Sequence, residues 1–448
     1  MALLNLYFYL ALVVFGQQMS QGRFTQFQRK DDFHQPFKHP DKITGSTAGR
    51  RDYSGYKVLR VTPSDSNSYN FLESLTNQYD FWKRSNGLGD PADILVSVDE
   101  RQLLISKLKD MGCDVTIMID DVKSLIQNQM KGKRRKTRSS EFDYNNYHRL
   151  GEIIHWIKDF TADNRKLVAK KRILNTYHGR HVYQLRISSN LRNKTKPIFL
   201  MIGATHAREW ISPATMMYVA NFLVSSYDPE RTDNLIDTME FNIVPVLNQD
   251  GYRFSWKRDR MWRKTRNPNP GSKCKGTDAN RNYDSHWGTG GSSASPCDQM
   301  YMGYAPNSTI EIRSLQNHIL SIKERVKIFM DVHSYGQYLI YPYGYSLNST
   351  EDEEDLRNAT QAAADAIEAV HGELYIGVQG SRLYDVVSGT SADWGYDVAG
   401  IKYSLGIELR DYGYEGFLLS PSQIRPTSEE FYAGCKAMVK YLQDNNEL

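Results

Sequence analysis

Gly203-Ala204-Thr205-His206-Ala207-Arg208-Glu209-Trp210 is the stretch around which the rest of the chain makes sense. It follows an apolar run over residues 198–202, bounded by Pro197 and Gly203, which has the length and composition of a buried strand. It precedes a Ser212-Pro213 step into an apolar-periodic run, which predicts a helix. His206 and Glu209 therefore fall on a loop where a strand ends, and a spacing of three lets an imidazole and a carboxylate converge on one ion. That donor pair suits zinc. A His and a Glu at this spacing also occur by chance, so a third ligand and a reactive group must be found elsewhere.

The run over 326–331 is a second apolar strand, and it leads into Val332-His333-Ser334-Tyr335-Gly336. A lone histidine there is an ordinary buried residue, but His333 repeats the placement of His206. Two imidazoles and one carboxylate leave zinc an open position for water, whereas structural zinc sites carry four protein ligands. A third strand, 401–407, delivers Glu408 in Gly406-Ile407-Glu408-Leu409-Arg410-Asp411. A carboxylate at that point can take a proton from the attacking water and pass it to a leaving nitrogen; its structural alternative is an ion pair with Arg410 or Arg263. Arg260-Met261-Trp262-Arg263 and Asp278-Ala279-Asn280-Arg281-Asn282-Tyr283 add guanidinium and amide donors, and arginine grips carboxylates bidentately. Zinc chemistry beside carboxylate-binding groups points to hydrolysis at a chain end.

At 448 residues the chain exceeds one ordinary domain, and two domains with accessory segments are expected. A net charge of +4 is mild for this length and argues against nucleic acid as the main partner. Residues 1–16 hold an apolar core and look like a secretory signal peptide, too short to span a bilayer; a soluble, secreted monomer with no membrane partner is expected. Residues 17–52 are a polar leader without periodicity. Over 53–130, strands at 56–61, 93–98 and 115–119 and helices at 67–79, 99–111 and 120–130 predict a small ferredoxin-like α/β domain. The basic linker 131–138, Lys131 to Arg138, is ordinarily a solvated charge run, but between two domains it is where trypsin-like proteases cut, most readily after Arg138. From 139 to 448 the helices and strands alternate, which predicts an α/β domain with a mixed sheet between helices. Cys274 and Cys297 bracket a Gly/Ser/Asn-rich loop that linking them would staple, while Cys113 and Cys435 read as small buried hydrophobes.

Together, His206-Ala207-Arg208-Glu209-Trp210, Trp262-Arg263-Lys264-Thr265-Arg266, Asp278-Ala279-Asn280-Arg281-Asn282, His333-Ser334-Tyr335, Tyr341-Pro342-Tyr343-Gly344-Tyr345 and Glu408-Leu409-Arg410-Asp411 resemble the secreted zinc metallocarboxypeptidases of the pancreatic A/B group. The resemblance spans essentially all of 139–448, and the preceding domain is similar to that group's inhibitory activation segment. It implies that His206, Glu209 and His333 bind zinc, that Glu408 is general base and acid, and that Arg263 steadies the oxyanion. Asn280 and Arg281 would hold the substrate's terminal carboxylate, Tyr384 would close over it, and Arg208 and Tyr335 would touch residues further from that end. A Cys274–Cys297 disulfide is implied as well, as are peptide C-termini for substrate and a trypsin-like activating protease.

In this group the residue before the Asp393-Trp394 pair is acidic where Lys or Arg ends are preferred and apolar where hydrophobic ends are. Here it is Ala392, with Leu383, Val386 and Val387 on the same segment, which implies a preference for aromatic or aliphatic ends. The sequence departs from the group in two places: Tyr384 lies one residue further from Asp393, and Tyr414-Glu415 makes the loop after the third strand more acidic. A basic preference, and an inactive peptide-binding relative, are the competing readings.

Overall fold

The computed structural model describes residues 49–131, 142–383 and 386–448. The expected signal peptide, most of the leader and the linker beyond Lys131 lie outside these residues, as does Tyr384. Among the described residues, no helix is long and apolar enough to cross a membrane.

The first folded part follows a β-α-β-β-α-β order: β1 (Lys57–Pro63), a helix Ser66–Ser74, β2 (Asp80–Lys83), β3 (Ala92–Val96), a helix Val98–Asp110 and β4 (Cys113–Ile119). The strands form an antiparallel sheet in the order β2-β3-β1-β4, the ferredoxin-like arrangement. Asp65 caps the first helix by accepting from the Ser68 N–H, while the Ser68 hydroxyl receives the Asp65 N–H. β2 has no counterpart in the sequence reading, because its four residues, two of them the charged ends Asp80 and Lys83, offer no alternation.

The larger part is built on an eight-stranded sheet in the order β11-β10-β12-β9-β7-β8-β6-β5. Its strands are β5 (Val168–Asn175), β6 (His181–Ile187), β7 (Ile198–Gly203), β8 (Glu240–Val244), β9 (Val326–Ser334), β10 (Tyr338–Tyr341), β11 (Ile376–Gln379) and β12 (Tyr403–Leu409). The central pairs β12–β9, β9–β7 and β7–β8 are parallel, and the outer pairs β6–β8, β5–β6 and β10–β12 are antiparallel, so the sheet is mixed as expected. Parallel strands are covered on both faces. One face packs on helices Leu150–Asp163, Ile211–Ser225, Glu353–His371 and Ile424–Asp444; the other packs on helix Ile310–Leu320 with Trp394 and Tyr283.

Two element ends correct the sequence reading. β9 continues through His333 to Ser334, so that histidine sits inside the ladder rather than beyond it. The last helix begins at Ile424, not at 429.

The two parts meet through an arm before β1 as well as through the sheet. The Arg51 N–H donates to the Arg258 carbonyl at 2.6 Å, its guanidinium pairs with Asp259 at 3.3 Å, and the Tyr53 hydroxyl donates to Asp259. At the other end of the domain, Gln129 accepts from Arg260 Nε at 2.9 Å and donates to the carbonyls of Phe417 and Leu419.

Candidate active site

Three parallel strands aim their carboxyl ends at one point. Gly203 of β7 pairs with Val332 of β9, and His333 of β9 pairs with Glu408 of β12, so the loop after β7 and both neighbouring strand ends share one edge of the sheet. The loop from Ala204 carries His206 and Glu209 back over that edge and is tied down by Asn248, whose amide donates to the Thr205 carbonyl at 3.2 Å.

His206, Glu209 and His333 are all buried and offer one donor atom each within 4.8 Å of one another. Nδ1 of His206 lies 2.8 Å from Glu209 Oε1, and Nδ1 of His333 lies 3.0 Å from Oε2. Both rings are aimed by carboxylates on their far side: Nε2 of His206 is 3.0 Å from Asp278 Oδ1, and Nε2 of His333 is 3.0 Å from Asp331 Oδ2. A carboxylate on one ring nitrogen fixes the tautomer and leaves the other nitrogen's lone pair for a ligand, the usual support of a metal-binding histidine. Asp331 is itself held by the hydroxyls of Thr205 and Ser391, at 2.7 and 2.8 Å. Burial opposes ionisation of Glu209, yet the adjacent imidazoles of His206 and His333 hold its carboxyl well below the usual range. Two imidazoles and one ionised carboxylate with a supporting outer shell fit zinc, and three protein donors leave a position open.

The remaining residues singled out in the sequence surround that centre. Arg263 donates through Nε and Nη2 to Asp278 Oδ2 at 3.1 and 2.9 Å, and its Nη1 is 3.8 Å from Glu209 Oε1. Burial disfavours its charge, but Asp278 and Glu209 outweigh that and keep it firmly protonated. Asn280 accepts the Ser391 N–H at 2.8 Å and sets its amide 3.3 Å from His333 Nε2. Arg281 donates to the carbonyls of Gly291 and Asn280. Gly291 and Gly389 have φ of +60° and +70°, and a Cβ at either would strike a carbonyl oxygen (Val386 or Arg281) at 2.5 Å or less, so the segment after 386 docks on the Arg281 loop only through glycine. Arg410, the alternative partner of Glu408, is bound instead to Glu430, with Glu373 at 3.4 Å. Cys274 and Cys297 are disulfide-bonded, and Cys113 and Cys435 are buried thiols.

A cavity of ≈ 200 Å³ opens beside these groups; Arg263, Asn280, Arg281 and Glu408 line it together with the three donors. At one end the wall is Ile340, Gly344, Gly380, Val387, Ala392 and Gly406, joined by the Asp393 carboxyl, which accepts the Gly344 N–H at 2.8 Å. At the other it is made of the first domain: Tyr79, Phe81, Trp82 and Lys83 enter the same space. Asp80 pairs with Arg208 at 2.9 Å, Asp93 accepts from the Tyr335 hydroxyl at 2.8 Å, and Trp82 packs on Phe417. Asp93 is also clasped bidentately by Arg60 at 2.8 and 2.9 Å. Arg208 and Tyr335 are thus both occupied by the domain that precedes them. Sequence reasoning did not assign Asp278 or Asp331 a role beside the histidines, nor Asp80 and Asp93 one over the cleft.

A buried three-donor centre that opens on a cleft with a carboxylate and arginines is the arrangement of a metallohydrolase. The chain belongs to the zinc carboxypeptidase family, whose model matches residues 153–434, and a carboxypeptidase activation peptide matches residues 59–129. It is 37% identical to carboxypeptidase A4 of Mus musculus over 413 residues, covering 90% of this chain and 97% of that one. It is 34% identical to carboxypeptidase B of Homo sapiens over 404 residues, covering 89% and 95%. The solved structure of thrombin activatable fibrinolysis inhibitor superposes with a TM-score of 0.81 at 33% identity, covering 87% of this chain and 99% of that one. The protein is therefore a metallocarboxypeptidase with an activation domain, and relatives of both A and B type stand at similar distance.

Proposed function

We propose that this chain is a secreted zymogen which, once cut within 131–138, releases hydrophobic residues from peptide C-termini, with one zinc ion held by His206, Glu209 and His333. The observation that carries the reading is the convergence of those three donors in a cavity shared with Glu408, Arg263, Asn280 and Arg281. Zinc bound there supplies Lewis acidity, polarising a carbonyl and making water nucleophilic near neutral pH. Asn280 and Arg281 grip the terminal carboxylate and so select the last peptide bond, with Tyr384 closing over it. Glu408 takes a proton from the attacking water and returns it to the departing amine nitrogen. Arg263, fixed by Asp278, offers its charge to the oxyanion that develops at the scissile carbonyl. Arg208 and Tyr335 serve the preceding residues of the peptide.

The preference is supported by the wall of Ile340, Val387 and Ala392; the Asp393 carboxyl on the same lining is engaged by the Gly344 N–H at 2.8 Å, and burial pushes its pKa up to about 6, which disfavours the charge an ammonium would need. The Cys274–Cys297 disulfide supports an oxidising compartment and thus secretion. The decisive experiment is trypsin treatment of the purified zymogen, followed by hydrolysis of small peptides ending in Phe, Leu, Arg and Glu, with zinc measured on the same sample. Phe and Leu are released fastest, and Glu408→Gln lowers kcat by at least ~10²-fold with zinc content unchanged. Faster release of Arg than of Phe refutes the preference; full activity in Glu408→Gln refutes the proton route; zinc without any peptide turnover favours the inactive relative.

A further inference from the structure

On the larger domain, away from the cleft, lies an open groove of ≈ 860 Å³ between helix Leu150–Asp163, β6 and helix Gln249–Lys257. Its lining includes Arg149, Lys158, Arg253 and Lys257, all exposed and, among the described residues, without a carboxylate partner. His181, also on the lining, sets its Nδ1 2.8 Å from Asn175 Oδ1 and is not counted. The one acid on the lining, Glu152, accepts the Arg149 backbone N–H at 2.7 Å, and its carboxyl is held below the usual range by His148 and, in smaller part, by the Arg149 charge, so it offsets only the groove's first cation. Arg180, also on the lining, is neutralised by the buried Asp250 and is not counted.

The basic surface continues past the groove. Arg50 donates to the carbonyl of Trp256, a lining residue, and its guanidinium is destabilised by burial and by the charge of Arg149. Arg50 and Lys131 also line a second cavity, formed by the arm and the last helix of the activation domain, where Asp52 pairs with Lys123 at 3.0 Å. A chain of net charge +4 has thus gathered like charges on one face, where their repulsion works against the compact state unless something anionic takes them up.

We infer that this groove binds a sulfated polysaccharide chain. A flexible linear polyanion can enter a concave channel and meet cations spaced along it, which a flat membrane surface cannot. The extracellular location proposed above, with the observed disulfide, selects extracellular sulfate over nucleic acid. The site is independent of zinc and of the cleft, so it stands or falls apart from the catalytic reading.

The test is isothermal titration of the intact zymogen with a size-defined heparin oligosaccharide at physiological salt. Binding is expected, weakening steeply as sodium chloride is raised. The double variant Arg253→Glu/Lys257→Glu is expected to bind at least ~10-fold more weakly, while trypsin-cut enzyme carrying it releases peptide termini at the wild-type rate. De-sulfated heparin is expected not to bind. An absence of heparin binding by the zymogen overturns the inference, as does unchanged affinity in the double variant, which places binding elsewhere. Equal affinity for single-stranded DNA of matched charge, or for anionic phospholipid vesicles, overturns the assigned class. Lys158→Glu, on a different helix, provides a second variant that must also weaken binding.

Discussion

Replacing Asp80 with alanine tests how the activation domain silences the cleft. Asp80 begins β2 and meets Arg208 at 2.9 Å; the arginine side chain is 2% exposed and that of Asp80 16%. The guanidinium also lies 4.2 Å from the Phe417 ring, so it has little water to fall back on once its partner is removed. Removing one partner of a fully buried pair costs ~3–5 kcal/mol, and a hydrogen bond to a charged group contributes ~1.5–3. Because Asp80 keeps some hydration, the expected loss is about 2 kcal/mol of docking energy, or roughly 30-fold in affinity. The β2–β3 ladder uses only the Asp80 backbone, so the domain itself should fold.

The assay is to cut the linker with trypsin, block the trypsin, and follow peptide release as the nicked protein is diluted. Activity should appear at roughly 30-fold higher concentration in Asp80→Ala than in wild type. Coincident dilution curves would refute the claim that the Asp80–Arg208 pair carries a large part of the inhibition.

Asp278→Asn removes the charge behind His206 and Arg263, and zinc affinity should fall ~10–100-fold in competition with a chelator while the far-ultraviolet spectrum is unchanged. Breaking Cys274–Cys297, separated by 23 residues, with a double serine variant should lower stability by about 3 kcal/mol, read as an earlier thermal transition. His318 is buried with Nε2 2.7 Å from Gln184 Oε1, and burial, aided by Lys171, lowers its pKa to about 4. The unfolded chain takes up that proton near pH 6.5 and the folded chain only near 4, so stability falls as pH drops through that window, by at most ~3 kcal/mol. His318→Gln should flatten the pH dependence of the denaturation midpoint over that range; an identical slope in both proteins would contradict the assignment.

What the sequence revealed depended on burial. β7 and the 328–332 part of β9 are covered on both faces, so they appear as apolar runs, broken in β9 only by Asp331, and the residues at their ends stand out. β5 was invisible because Lys170-Lys171-Arg172 sits on the outer edge of the sheet, where charge guards an exposed ladder and erases alternation. The convergence of His206, Glu209 and His333 was legible because each closes a run of readable pattern. The carboxylates behind the rings were not, since Asp278 reaches a histidine 72 residues away. A signal existed for Asp331: an acid between Met330 and Val332 in an otherwise apolar strand must find partners, and a histidine two positions on is the nearest candidate. The cover provided by Asp80 and Asp93 left no trace, because β2 was unseen and the contact spans two domains.

The arm that pins Arg51 and Tyr53 to the Arg258–Asp259 turn gives the activation domain a second mooring on the side opposite its linker in the chain. A single cut severs the covalent tether and leaves this one in place. Nicked and working enzyme are then distinct species in a reversible equilibrium, and the delay between them is a dissociation lifetime that no excess of activating protease can shorten.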